Sequence, residues 1–451
     1  MTFFSVIHGL FGIVFLLGIA LLFSNNKKRV NWRLVGMGLL IQITFGILVI
    51  KGTALGVYFA PFGWLKLAFE KIAEAFVVIL GFTMEGARFV FGNLAISPGA
   101  EGSMGSFFAF QVLPTIIFFS CLMSVLYYLG IMQRVVQGMA WIMARLMGTS
   151  GAESLSNTAN IFVGQTEAPL MIRPFLATMT NSELLTIMTG GMATIAGGVM
   201  AAYVQMLGYS FAQAENLPLV QAQVKFAAQL LGASIMAAPA SLLISKIIFP
   251  ETEEPKTKGT VRINVEKNAS NIIEAAAGGA ADGLQLALNV GAMLLAFIAL
   301  IALANYVLSG IGGLIGVNAY LEAHYGQPLN LQLLLGFFFQ IVAYAIGVPG
   351  PEALSFGSLL GTKVVLNEFV AYFDMSSLIA QHKLVSDKAI AMATFALCGF
   401  ANFSSIAIQI GGISPMAPHR RKDLAALGLR AVLGGTLSTL LTATIAGVLI
   451  G

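Results

Sequence analysis

Charge is what this chain has least of. Asp, Glu, Lys and Arg make up 10% of its 451 residues against 57% hydrophobic residues, and mean hydropathy is +0.86. A soluble domain carries about 25% charged residues, so a soluble fold is excluded. Cysteine is nearly absent: Cys121 and Cys398 both sit in apolar runs with no second cysteine nearby, which excludes a disulfide framework and a CxxC metal or redox motif. Four histidines, His8, His324, His382 and His419, lie scattered at ends and loops, which argues against a histidine proton relay. The strict alternation of a membrane barrel is missing too, so apolar segments must cross as helices. The first of them has no basic region before it and no small-residue cleavage site after it, and reads as a retained helix rather than a signal peptide.

What is present is a series of segments of the ~20 apolar residues needed to cross a hydrocarbon core. Helices are expected near 3–23, 34–50, 107–130, 181–208, 222–249, 284–309, 388–414 and 424–450. Residues 65–90 and 131–148 are amphipathic and are expected to lie along the interface. Lys27, Lys28, Arg29 and Arg33 follow the first helix, and Arg420, Arg421 and Lys422 precede the last. The positive-inside rule makes both loops cytoplasmic, which puts the N- and C-termini outside. The polar stretch Glu251 to Lys267, carrying Lys256, Lys258, Arg262 and Lys267, is placed inside as well.

The two halves resemble each other. Gly151-Ala152-Glu153-Ser154 opens a short apolar stretch ending in Gly164-Gln165-Thr166-Glu167, and Gly350-Pro351-Glu352-Ala353 opens one ending in Asn367-Glu368. A long helix interrupted by small and polar residues follows each, at Gly190 to Gly198 and at Cys398 to Ser405. Short arms meeting at polar tips predict two re-entrant hairpins, and paired broken helices are the pointer to a transporter site. Three crossings between corresponding points make the repeat an inverted one, which implies alternating access. The expected division is a scaffold over 1–106, a first repeat over 107–249, a cytoplasmic loop and interfacial helix over 250–283, and a second repeat over 284–451.

Glu167 and Glu368 stand in otherwise apolar surroundings. A charge at membrane depth costs about 2.5–3.5 kcal/mol on the most forgiving scale, so a matched pair calls for a task. Broken helices free backbone amides and carbonyls, and Gln165, Thr166, Glu167, Asn402 and Ser405 add amides, hydroxyls and a carboxylate. Such a set suits a neutral, polyhydroxylated or amide-bearing solute; a strongly anionic one would want more than Lys363 nearby. Glu153 and Glu352 read as caps or anchors. Thr194, Ser404 and Ser405 read equally well, one by one, as back-bonding or helix-contact residues.

Gly361-Thr362-Lys363-Val364-Val365-Leu366-Asn367-Glu368-Phe369-Val370-Ala371-Tyr372 resembles the signature GxKxxxNEFVAY of concentrative nucleoside transporters at every fixed position. Gly164 to Pro169 and Cys398 to Ser405 resemble that family's other two blocks, in order, and Asn31-Trp32-Arg33 resembles its N-terminal loop. The resemblance implies an all-α polytopic membrane protein of the bacterial inner (cytoplasmic) membrane. It further implies a homotrimer with eight transmembrane helices, two re-entrant hairpins and interfacial helices per subunit, working as an elevator-type transporter. Gln165, Thr166 and Glu167 would meet the nucleobase, with Val199 and Phe400 lining it. Glu368, Asn402 and Ser405 would hold the ribose of uridine, adenosine or a similar nucleoside. A sodium ion would sit among Asn160, Val163, Thr194 and Ile195, a set of amide, hydroxyl and carbonyl oxygens suited to a hard cation. Thr194 keeps the hydroxyl where some relatives have serine, and the Glu-Ala-Pro ending of the first block favours sodium over a proton. A membrane-embedded enzyme is disfavoured, since no nucleophile, metal set or cofactor motif accompanies the carboxylates. A passive channel, which would not accumulate solute against a gradient, and a proton-coupled nucleoside symporter are the alternatives, and no nucleic-acid partner is expected.

Overall fold

The computed structural model of the chain describes residues 3–58, 60–96, 101–105, 107–259 and 269–451. Among them the structure is helical, with one isolated bridge between Ser150 and Lys258. Helices α1 (Phe3–Leu22), α2 (Trp32–Gly56) and α3 (Ala60–Phe91) lead, followed by α4 (Phe108–Gln111), α5 (Leu113–Tyr128) and α6 (Ile131–Met147). Next come α7 (Gly151–Ala159), α8 (Arg173–Leu176), α9 (Asn181–Ala193), α10 (Gly197–Glu215) and α11 (Leu219–Ile248). The second part holds α12 (Ile272–Leu314), α13 (Val317–Tyr325), α14 (Leu331–Ala345), α15 (Ala353–Val365) and α16 (Glu368–Ala380). It closes with α17 (Asp387–Leu397), α18 (Phe403–Ile413) and α19 (Arg421–Ile450).

Among the described residues, seven helical stretches are long and apolar enough to cross a membrane. The second broken helix is absent from that set because its break leaves two pieces of 11 residues each. The stretch 65–90 lies inside the 32-residue α3, which packs along α2 and α11. The segment expected as a loop and separate interfacial helix over 250–283 divides differently: α12 already starts at Ile272, where Asn271 accepts the Glu274 amide at 2.9 Å, and runs unbroken for 43 residues. Glu274 and Asp282 interrupt the apolar pattern there without interrupting the helix. Residues 260–268, including Arg262 and Lys267, lie outside the described residues, as does the boundary at 106.

Burial separates two kinds of span. The α9–α10, α11 and α19 spans are 94%, 89% and 83% buried inside the chain, whereas α12 is 22% buried. The inner helices are rich in Ala, Gly, Ser and Thr, which let backbones approach closely. Along α12, Leu288, Leu295 and Tyr306 face outward, a surface that suits an apolar solvent or another subunit.

Each half repeats one order: a helical hairpin, a broken helix and a long buried helix. The first is α7–α8, α9/α10 and α11; the second is α15–α16, α17/α18 and α19. The basic segments gather at one end. Asn25 donates to the Ile248 carbonyl (3.0 Å), Ser182 to the Phe249 carbonyl (2.7 Å), and Arg420 to the Asn181 side chain (2.9 Å) and the Met179 carbonyl. The loop after α1, the end of α11, the start of α9 and the start of α19 therefore share one face.

Candidate functional site

Hairpin bases fix where the tips can reach. In the first half Ser150 and Glu153 form a capping box on α7, Thr180 and Glu183 form one on α9, and the Ser150 hydroxyl donates to Glu183 at 2.6 Å. Lys246 from α11 closes the cluster, 2.8 Å from Glu153 and 3.3 Å from Glu251. In the second half Glu352 accepts the amides of Val385 (2.7 Å) and Ser386 (2.8 Å) and the Ser386 hydroxyl, joining hairpin to broken helix without a cation. Both glutamates are the structural anchors their positions predict.

The breaks meet. Helix α9 stops at Ala193 and α10 starts at Gly197, with Thr194 in extended conformation. Helix α17 stops at Leu397, and Gly399 adopts φ +155° against the end of α9, where a Cβ would stand 2.7 Å from the Met192 carbonyl oxygen. Only glycine fits that approach in that conformation. Helix α18 restarts under an Asn402 cap, whose Oδ1 accepts the Ser405 amide at 2.9 Å.

That cap orients the Asn402 amide, so its Nδ2 is free to donate to Glu368 Oε2 at 3.1 Å. Glu368 sits at the tip of the second hairpin, 6% exposed, and its Oε1 accepts the Tyr203 hydroxyl at 3.0 Å. Ser405 continues the run by accepting from Gln165 at 3.2 Å. Gln409 then donates to Gln165 Oε1 (3.0 Å) and to the Met188 carbonyl (2.9 Å). A single polar run thus joins hairpin 2, the second break and the tip of hairpin 1. The chain's own groups satisfy most of one another here, the Gln409 Oε1 being left without a partner.

Gln165, Glu368, Asn402 and Ser405 are brought together. Thr166 packs its methyl group beside Gly412, where a Cβ would come within 2.4 Å of it. Glu167 is exposed and turns back on its own loop, accepting the Gly164 amide at 3.1 Å, so it stands outside the hydrogen-bonded run. Val199 is buried in the first turn of α10, and Phe400 is half-buried in the second break. Sequence reasoning missed Tyr203 and Gln409. The signal was available: each lies one helical turn beyond a named residue, Val199 and Ser405, and so on the same helix face.

The sodium-site candidates surround the junction of the first tip and the first break, which the Gly197 amide ties to the Phe162 carbonyl at 3.1 Å. Asn160 is fully buried, and neither its Oδ1 nor its Nδ2 has a hydrogen-bond partner. A buried amide oxygen left open in this way costs free energy unless something binds it. The Thr194 hydroxyl donates to Gly190 at 2.9 Å, which leaves its oxygen lone pairs available. Among the described residues no group of three His, Cys, Asp or Glu could hold a metal. Neutral oxygens beside the carbonyl end of α9 fit a monovalent hard cation.

Paired broken helices, with polar hairpin tips closing on them in each half, are the arrangement of a secondary transporter. A family model described as Na+ dependent nucleoside transporter C-terminus matches residues 229–447, its N-terminal counterpart matches 11–94, and a nucleoside recognition (Gate) model matches 109–210. An uncharacterized transporter of Haemophilus influenzae is 46% identical over 99% of this chain and 98% of its own. Sodium/nucleoside cotransporter 1 of Rattus norvegicus is 41% identical over 96% of this chain, which spans 62% of the rat protein. The structure of CNTnw in an inward-facing substrate-bound state superposes with a TM-score of 0.84, at 42% identity over 99% of this chain and 98% of that one. A CNTnw variant in an outward-facing state matches equally, at 0.84 and 42% over the same shares. The chain belongs to the Na+ dependent nucleoside transporter family, and its relatives are transporters rather than enzymes.

Proposed function

We propose that the chain is a sodium-coupled symporter that imports nucleosides by alternating access. The observation that carries this reading is the polar run from Tyr203 through Glu368, Asn402 and Ser405 to Gln165. It spans both repeats, so a bound solute has to exchange these internal bonds for its own. Glu368, Asn402 and Ser405 take ribose hydroxyls. Gln165, Thr166 and Glu167 face the base, which Val199 and Phe400 line, and parting Gln165 from Ser405 opens the space between them.

Sodium at Asn160, Val163, Thr194 and Ile195 neutralises the carbonyl end of α9 and orders the first tip. That raises solute affinity by favouring one of two states. The functional unit is a homotrimer in the inner membrane, with eight crossings per subunit counting each broken helix as one. The basic face lies in the cytoplasm, both termini lie outside, and a transport domain shifts like an elevator against an α12 scaffold.

Labelled uridine and adenosine uptake into proteoliposomes, with sodium and proton gradients imposed separately, tests the reading. Accumulation driven by sodium alone is expected. Accumulation driven by protons alone overturns the coupling, equilibration without accumulation makes the chain a channel, and a chemically altered solute makes it an enzyme. Asn160→Ala should raise the sodium concentration for half-maximal uptake about fivefold or more; an unchanged value removes Asn160 from the site.

A further inference from the structure

Lys363 is fully buried in α15 and takes no part in the polar run just described. Its Nζ donates to the Ala396 carbonyl at 2.8 Å and to the Thr439 hydroxyl oxygen at 3.0 Å. On the other arm of the same hairpin, Tyr372 donates its hydroxyl to the Thr394 carbonyl at 2.8 Å. Both carbonyls belong to the last turn of α17, where a helix leaves its C=O groups without intrahelical partners and carries partial negative charge. Hairpin 2 therefore supplies, from both arms, the donors that the second break strips from its own helix.

The first break differs. The Thr194 hydroxyl back-bonds to Gly190, but among the described residues no side chain donates to the carbonyls of Gly191, Met192 or Ala193 at the end of α9. The charge balance differs in the same sense. Among the described residues two lysines are buried, Lys246 and Lys363, and Lys246 is committed to Glu153 and Glu251. Lys363, in the last turn of α15, and Glu368, the first residue of α16, are both buried, one on each side of the hairpin tip. The two bracket the break: Lys363 holds its near side at Ala396, and Glu368 holds its far side at Asn402.

We propose that Lys363 is a positioning residue serving as the built-in cation of the second repeat. With Tyr372 it clamps the carbonyl end of α17, which fixes the span of the break that presents Asn402 and Ser405. It also gives Glu368 the counter-charge a buried carboxylate needs. In this respect a tethered ammonium does at the second break what an exchangeable sodium ion does at the first. The comparison with sodium and the role of Glu368 rest on the nucleoside-symport reading; the clamp itself does not.

The native thiol of Cys398, 1% exposed at the first residue of the break, reports on the clamp without any substrate. In purified full-length protein with Cys121→Ser, maleimide should label Cys398 at least tenfold faster in Lys363→Met, and a few-fold faster in Tyr372→Phe, which keeps the charge. Uridine affinity by calorimetry should fall at least tenfold in Lys363→Met and less in Tyr372→Phe. In a Glu368→Gln background, Lys363→Met should cost less than in the parent, by the share that the counter-charge contributes. Unchanged labelling overturns the clamp. A Lys363→Met loss that is undiminished without the Glu368 charge overturns the counter-charge. If Lys363→Met does not purify, Tyr372→Phe labelling alone decides the clamp, and no acceleration sinks it. If the parent binds no nucleoside while labelling responds, the symport reading falls and the clamp stands.

Discussion

The two repeats share a frame and differ in where they put their charge. The first concentrates it at the hairpin base, where Lys246 lies among Glu153, Glu183 and Glu251, and leaves its break neutral with an open Asn160. The second anchors its base through Glu352 with amides and a hydroxyl alone, and carries its buried charges, Lys363 and Glu368, beside the break. Even the link from each first hairpin arm to the long buried helix follows this division. Ser241 donates to Asn157 at 2.7 Å in the first half, and Lys363 donates to Thr439 at 3.0 Å in the second. One architecture thus yields two half-sites of different chemistry: one suited to receive a cation, the other to hold hydroxyls.

The base anchors give the widest split. Lys246→Met leaves Glu153 buried without compensation and should cost about 3–5 kcal/mol of stability, whereas Glu352→Gln removes charge-assisted hydrogen bonds and should cost about 1.5–3 kcal/mol. Thermal unfolding of the detergent-purified protein measures both, and equal losses would erase the contrast between the bases. At the tips, Glu368→Gln should weaken uridine binding about 10–150-fold, the equivalent of about 1.5–3 kcal/mol for a charged hydrogen-bonding group, with the size-exclusion profile unchanged from the parent. Glu167→Gln, a residue bonded only to its own loop, should lose less; a larger loss there would exchange the roles of the tips. The smallest effect expected separates two glycines. Gly399→Ala meets the Met192 carbonyl in a left-handed conformation and should cost about 1–3 kcal/mol, while Gly411→Ala, with nothing within 4 Å, should stay within about 0.5 kcal/mol.

Much of this was legible in the sequence. The apolar runs announced the spans, and the small-polar interruptions announced both breaks, because a helix cannot pass Cys398 to Asn402 without a partner for its freed groups. The roles of Glu153 and Glu352 followed from their positions at the hairpin starts. Partnership across the repeats was not legible. Nothing local to Lys363 says that it reaches Ala396, nothing near Gln165 says that Gln409 will hold it, and the start of α12 at Ile272 was hidden by two charges that the helix tolerates at a solvated end. The equal standing of Glu167 and Glu368 was a reading of composition; packing made one a buried hub and left the other on an open loop.

Gly399 carries a further consequence. Its backbone rests on the carbonyl end of α9, so the segment that presents Asn402 and Ser405 and the segment beside Asn160 and Thr194 are held against each other. Any factor by which the ion tightens the hold on the solute must be returned by the solute to the ion. Under the sodium coupling proposed above, an empty solute site means a loosely held ion, and the contact guards against leak.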